Sequence, residues 1–335
     1  MFKKTLITAL TAGIALSAGV AQADTSGAKI ALSNNYAGNS WRQAMLTSWD
    51  KVTGAAVADG VVAEATAFTT AENQVTEQAA QIQNLILQGY DAIVINAASP
   101  EGLNGAVKQA CDAGIVVVSF DGIVTEPCAY RIAVDFAKMG EIQVDYLAGR
   151  LDGGELLEIR GLAGVFVDDE IHAGIETGVA NHSQFNIAGS VHGDWAQAVA
   201  QKAVAGILPS LPEIAGVVTQ GGDGYGAAQA FAAADRPTPI IVMGNRYDEL
   251  AWWKEQKDAN GYETMSVSIA PGVSTLAFWV AQMVLDGAEV PQDLTVPFLQ
   301  INQDDLEANL ATTQEGGVAN VEYSLADAQA SVAGN

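Results

Sequence analysis

Asn96 and Asp121 each stand at the end of an apolar run, AIVI before the first and IVVVSF before the second, with a helical stretch, Gly102–Ala113, between them. That order predicts a strand–helix–strand unit with an amide and a carboxylate at the carboxyl ends of two parallel strands. Open α/β sheets bind their ligands at this edge. The chemistry is recognition, a small polar molecule held by neutral and charge-assisted hydrogen bonds. Either residue would serve equally as a helix cap or loop brace; their agreement on one sheet edge favours a ligand. Catalysis finds no such pattern. His172, His182 and His192 recur at an even spacing that would scatter them around one helix, and His192 ends a predicted strand. No metal-ligand cluster, Ser/His/Asp order or Gly-x-Ser-x-Gly elbow accompanies them. The chain is expected to be no enzyme and to need no cofactor or metal.

The elements that must position these residues alternate along the chain. Strands are predicted over Lys29–Ser33, Val61–Phe68, Ala92–Asn96 and Ile115–Phe120, then over Glu155–Ile159, Asn186–His192, Gly216–Thr219, Ile240–Gly244, Thr264–Ser268 and Val296–Ile301. Helices are predicted over Ser40–Thr53, Glu72–Gln88, Gly102–Ala113 and Lys138–Gly149. A second series covers Ala196–Leu208, Gly224–Ala234, Tyr247–Lys257 and Gly272–Leu285. Strands alternating with helices imply an α/β protein with parallel sheets and right-handed crossovers. The units ending in Asn96 and Asp121 are echoed, at the same spacing, by units ending near Gln220 and Asn245. Two similar facing lobes are the natural reading, with a first break near Ala133–Phe136.

Composition narrows the partners. The 335 residues carry a formal net charge of −24 at pH 7, which argues against nucleic acid or an anionic membrane surface. Residues 1–23 read as a signal peptide. MFKK supplies the charge, LITALTAGIALSAGV the apolar middle and AQA the small-residue cleavage site. The mature protein is therefore expected in a bacterial periplasm, where Cys111 and Cys128 would form a disulfide.

Six ordered segments go further. They are IALSNNYAGNSWRQAM, IQNLILQGYDAIVINAASPEGLNGAVKQACDAGIVVVSFD, IAVDFAKMG, EIRGLAG, GVVTQGGDGYGAAQAF and PIIVMGN. Together they resemble the ribose-binding-protein-like (type I) periplasmic receptors of ABC transporters over nearly the whole mature chain. The resemblance implies two Rossmann-like lobes joined by a three-segment hinge, with crossovers near Val134–Asp135, Ser268–Ala270 and Leu299–Ile301. The first lobe would then comprise 24–134 plus 269–300, and the second 135–268 plus 301–335. A sugar or polyol would be captured between them, hinge closure would bury it, and the closed receptor would dock, as a monomer, on a membrane permease.

The same resemblance assigns contacts residue by residue. Asn39 and Trp41 fall where the family has an Asn and a stacking aromatic, although a helix start with a core Trp would look the same. Arg42 takes a position that is usually aromatic. Asn96 and Asp121 match ligand positions, and Trp195, in HGDWAQAV, matches an aromatic of the second lobe. Asn245, with Arg246 beside it, follows the strand IIVMG where relatives often have Asp. Two family arginines are missing: Gly122 stands where one follows the cleft Asp, and VFVDDEIHAGIETG contains none. Asp168, Asp169 and His172 are the substitutes on offer. GGDGYG, at Gly221–Gly226, lacks the lysine of a phosphate loop and reads as a tight turn beside the cleft, with Gln220 or Asp223 as contacts. These departures point away from ribose toward another sugar or a polyol. A signalling or chemotaxis receptor for a non-carbohydrate polar molecule is the alternative.

Overall fold

A computed structural model describes residues 24–72 and 74–334; the expected signal peptide lies outside them. Twelve strands follow in chain order. They are β1 (Lys29–Asn34), β2 (Glu64–Thr69), β3 (Ala92–Asn96), β4 (Val116–Phe120), β5 (Tyr130–Ala133), β6 (Gly154–Arg160), β7 (Phe185–His192), β8 (Ile214–Val218), β9 (Ile240–Ile241), β10 (Ser266–Ser268), β11 (Asp293–Thr295) and β12 (Leu299–Ile301). The helices are α1 (Ser40–Ala58), α2 (Val75–Leu87), α3 (Asn104–Asp112), α4 (Phe136–Ala148), α5 (Phe166–Asn181), α6 (Gln197–Ile207), α7 (Gly224–Ala233), α8 (Tyr247–Asn260), α9 (Val273–Leu285), α10 (Leu306–Thr312) and α11 (Leu325–Gly334). Among the described residues no helix is long and apolar enough to cross a membrane.

Two sheets organise the chain. The first has the order β11-β5-β4-β3-β1-β2 and the second β7-β6-β8-β9, with every pair parallel. The run β4-β3-β1-β2 of the first sheet matches β9-β8-β6-β7 of the second, which is the duplication the spacing predicts. Side chains alternate across each strand. Ile30, Leu32, Ala92 and Val94 therefore join one core, with Trp49 and Phe278 packed edge-on at 5.7 Å. Ala31, Ile93 and Ile95 join the other. Helix α9 is apolar on all sides and buried along most of its length, as a helix caught between α1, α11 and the sheet must be. In the second lobe Leu156 and Val218 face one core, and Leu157, Ile159 and Val217 the other.

Three local outcomes differ from expectation. The stretch Val296–Ile301 is not one strand: Pro297, which has no N–H for a ladder, separates β11 from β12. The first pairs with β5, while the second pairs antiparallel with β10. The expected strand Ile240–Gly244 ends after Ile241, and only Met243 continues it, by a single bridge to Ser266. The end of the chain also turns back. Ala319 donates to the Asn245 carbonyl at 2.7 Å. Asn320 accepts from Gly272 N at 2.6 Å and donates to Ser48 Oγ at 2.7 Å. Ala328 then packs with the first lobe's core. The chain thus passes between the lobes a fourth time, and α11 lies against the first lobe, unlike in the expected division that gave 301–335 to the second.

Cys111, at the end of α3, is joined to Cys128 in the loop before β5, with Cα atoms 6.4 Å apart. Cys111→Ser is expected to lower stability by roughly 3 kcal/mol in the loop-entropy account, read from urea unfolding. The loss should disappear when wild type and variant are compared in reductant. An equal loss there would assign the effect to packing against Leu103 and its neighbours.

Candidate ligand-binding site

The carboxyl ends of β1, β3 and β4 converge at the switch point of the first sheet, where Asn34 and Asn96 are register partners. Asp121 follows β4 with φ +58°, a left-handed conformation that Asp tolerates better than most residues and that accumulates at functional sites. Its Oδ2 lies 3.0 Å from Arg42 Nη2 and accepts a hydrogen bond from Asn96 Nδ2 at 2.9 Å. Arg42 reaches this point because Asn39 caps α1, accepting from Arg42 N at 2.8 Å. Its Nη1 also donates to Asn34 Oδ1 at 3.3 Å. Burial pushes the Asp121 carboxyl up and the Arg42 guanidinium down, and each charge opposes the other's shift.

A cleft of about 590 Å³, its open mouth included, separates the two sheets at this point. The first lobe contributes Tyr36, Asn39, Trp41, Arg42 and Asp121. The second contributes Trp195, Gln220, Arg246, Ser268 and an apolar wall from α4 and α5. Trp41 sits at the floor. Its Nε1–H donates to the Ile269 carbonyl at 2.8 Å, and its ring packs with the cores of both lobes. Trp41→Ala is therefore expected to weaken ligand binding and also to destabilise the fold by about 2–3 kcal/mol. Trp41→Phe should stay within about 1 kcal/mol of wild type, losing one hydrogen bond. Paired thermal and calorimetric titrations check both, and a fully stable Trp41→Ala protein would confine the ring to ligand contact.

Trp195 has φ +52° and follows Asp194 at +55°. For a bulky residue this backbone is strained, so the surrounding structure must hold it. The indole lies against the α-carbon of Gly161, where any Cβ would collide with the ring. Gln220 is engaged in the same corner, accepting from Gly161 N at 3.0 Å and donating to the Asp168 carbonyl at 3.0 Å. The Gly221–Gly226 turn works similarly. Gly222, at φ +113°, leaves room for the Arg246 guanidinium, which donates to the Gly222 carbonyl.

Of the expected contacts, Asn39, Trp41, Arg42, Asp121 and Trp195 line the cleft, while Asn96, His172 and Asn245 do not. Asn96 is wholly buried behind Asp121. His172 turns to Glu158, 2.6 Å away, because it follows Ile171 on α5 and one residue of helix rotates it off the cleft face. Asn245 donates to the Leu299 carbonyl at 3.0 Å and accepts from Ser266 Oγ, stitching β10 and β12 together. Its neighbour Arg246 takes the cleft position. Asp168 is spent on Arg160, at 2.7 Å, and on Gly161 N, at 2.9 Å, and Asp169 pairs with the same arginine at 3.0 Å. Asp223 is buried beneath the cleft with neither carboxylate oxygen in a well-formed hydrogen bond. Tyr36, Phe136, Met139, Val165, Val167, Ile171, Ser268 and Ile269 line the cleft without having been expected. The available signal was position: Phe136, Ser268 and Ile269 adjoin the crossovers that form the floor.

Two sheets of one topology, meeting in a cleft crossed by several strands of hinge, point to one family, and the periplasmic binding protein domain matches residues 30–289. The chain belongs to the periplasmic binding proteins. A solved ABC transporter solute binding protein from Thermobispora bispora DSM 43833 is 34% identical, with a TM-score of 0.84. The match covers 91% of this binding protein and 95% of that chain. The ribose import binding protein of Escherichia coli (strain K12) is 27% identical over 174 residues, 51% of this chain and 58% of that relative. A xylitol-binding protein of Mycolicibacterium smegmatis is 26% identical over 246 residues, 72% of this chain and 69% of its own. The family is one of solute binders, and its members act outside the cytoplasmic membrane.

Proposed function

We propose that this protein is the periplasmic receptor of an ABC transporter for an uncharged hydroxylated solute, a sugar or polyol. One observation carries the reading: the Asp121–Arg42 pair faces a cleft that holds an aromatic ring from each lobe, Trp41 and Trp195. Both contacts on Asp121 fall on Oδ2, so Oδ1 is the oxygen left for a ligand hydroxyl, and the rings suit the C–H faces of a sugar. The receptor is exported by its cleaved leader, closes about the hinge as a monomer and hands its ligand to a membrane permease. The names borne by the Thermobispora, ribose and xylitol relatives support that role.

A thermal-shift screen of Asp24–Asn335 against pentoses, hexoses, polyols, deoxy sugars and sugar acids tests it, after co-purified ligand has been removed by unfolding and refolding. A ligand at a hundred times its dissociation constant adds roughly 2.7 kcal/mol to the folded state, a rise of a few degrees. A shift confined to neutral sugars or polyols is expected. A blank panel would overturn the carbohydrate reading in favour of a signalling molecule, and sustained product formation from any hit would make the protein an enzyme.

A further inference from the structure

The second lobe meets the cleft with an apolar wall. Val165 precedes α5, and Val167 and Ile171, one helical turn apart, lie on the same face of that helix; all three line the cavity. Phe136 and Met139 line it from the first turn of α4. The two helices bring these residues together because they touch through glycine. A Cβ at Gly174 would strike the Ala137 carbonyl, and one at Gly140 the Ile171 carbonyl. The wall is therefore fixed by backbone contact and cannot readily yield to a bulkier or hydrated ligand.

No side chain lining that wall is polar, and the polar groups it does hold are the uncapped backbone N–H groups at the very start of α5. On the same helix turn His172 is tied to Glu158, and Asp168 and Asp169 to Arg160, while Glu170 does not line the cleft. Polar groups gather on the opposite side, at Tyr36, Asn39, Arg42 and Asp121, and elsewhere on the second lobe and the floor, at Arg246 and Ser268. The charges there have protein partners or neighbours. Arg42 is answered by Asp121, while Arg246 donates to Gly222 and lies beside buried Asp223 and Glu249. A hydroxyl turned toward the side chains of Val167 and Ile171, away from that helix start, would lose its water with nothing in exchange, whereas a methyl or methylene group there gains from burial.

Resting on the receptor reading above, we propose that the ligand is a deoxy sugar or related methyl-bearing polyol. Its hydroxylated edge lies on Asp121 and Asn39, and its deoxy edge lies against Val165, Val167 and Ile171. An apolar pocket discriminates by one such group only modestly, about tenfold to a hundredfold.

Calorimetric titration of ligand-stripped protein with pairs differing by one hydroxyl tests this: fucose against galactose, rhamnose against mannose, and 2-deoxyribose against ribose. The deoxy member of at least one pair should bind about ten to a hundred times more tightly. Val167→Thr, which keeps the shape but adds a hydroxyl to the wall, should bring that ratio toward unity. If the hydroxylated sugar binds equally or better in every pair, the deoxy proposal fails and the sugar receptor stands. If no sugar in the set binds, the deoxy-sugar proposal fails, and the receptor reading is decided by the wider panel that includes polyols. A deoxy preference that Val167→Thr leaves untouched would also overturn the proposal, since the discriminating contact would lie elsewhere.

Discussion

Asp121→Ala is expected to abolish ligand binding and to destabilise the ligand-free protein by about 3–5 kcal/mol. The size follows from burial. The side chains of Arg42 and Asp121 are only 13% and 9% exposed, so truncation strands a guanidinium in the interior, with Asn34 Oδ1 as its remaining acceptor. Asn96 loses the carboxylate that its amide supports. The isosteric Asp121→Asn separates the two effects. It keeps an oxygen for Arg42 and so should retain more of the stability, but it replaces the charge-assisted bond to a ligand hydroxyl. Affinity should then fall by about 1.5–3 kcal/mol. Urea midpoints of stripped protein and calorimetric dissociation constants give the two readings. Unchanged affinity in Asp121→Asn would eliminate Asp121 as a ligand contact; unchanged stability in Asp121→Ala would mean that water or another acceptor replaces the carboxylate beside Arg42.

The sequence carries the sheet edges better than the walls between them. Asp121 and Asn96 are legible because each ends an apolar run whose period fixes it at a strand terminus, and the structure puts both there. Which of the two faces the cleft is decided by depth: Asn96 lies beneath Asp121, an arrangement with no periodic signature. At Asn245 and Arg246 the difficulty is one residue wide. Successive side chains leave a strand on opposite faces, so an uncertainty of one position exchanges a hinge brace for a cleft residue. Helical phase does the same at Ile171 and His172. Val167, Ile171, Phe136 and Met139 read as ordinary apolar helix faces, and only the glycine contact of α4 with α5 turns their first turns into a cavity wall. The return of α11 to the first lobe rests on hydrogen bonds of Asn320 with Gly272 and Ser48, residues remote in sequence, which no local pattern encodes.

The second large effect lies under the cleft, at Asp223. Burial pushes its carboxyl up to about 8 from the usual 3.8, against the pull of Arg246 and with the nearby negative charges of Glu249 and Asp194 adding to the rise. In the unfolded chain this group ionises near its ordinary value. Between about pH 4 and pH 8 the folded state therefore holds a proton that the unfolded state has released, and stability must fall as the pH rises. The contribution is complete below the unfolded value, declines by about 1.4 kcal/mol for each pH unit, and levels off above the folded value. Glu64, Asp293 and Asp327, whose carboxyls are held below their ordinary range by hydrogen bonds from Tyr90, Arg131 and Ser324, oppose this trend at the acid end. The difference between wild type and a variant isolates Asp223 from them. Asp223→Asn cannot ionise, so it should melt close to wild type at pH 4–5 and several degrees above it at pH 8. Parallel melting profiles across that range would mean that Asp223 is ionised in the folded protein. Arg246, which donates to the Gly222 carbonyl, would then also hold the Asp223 charge.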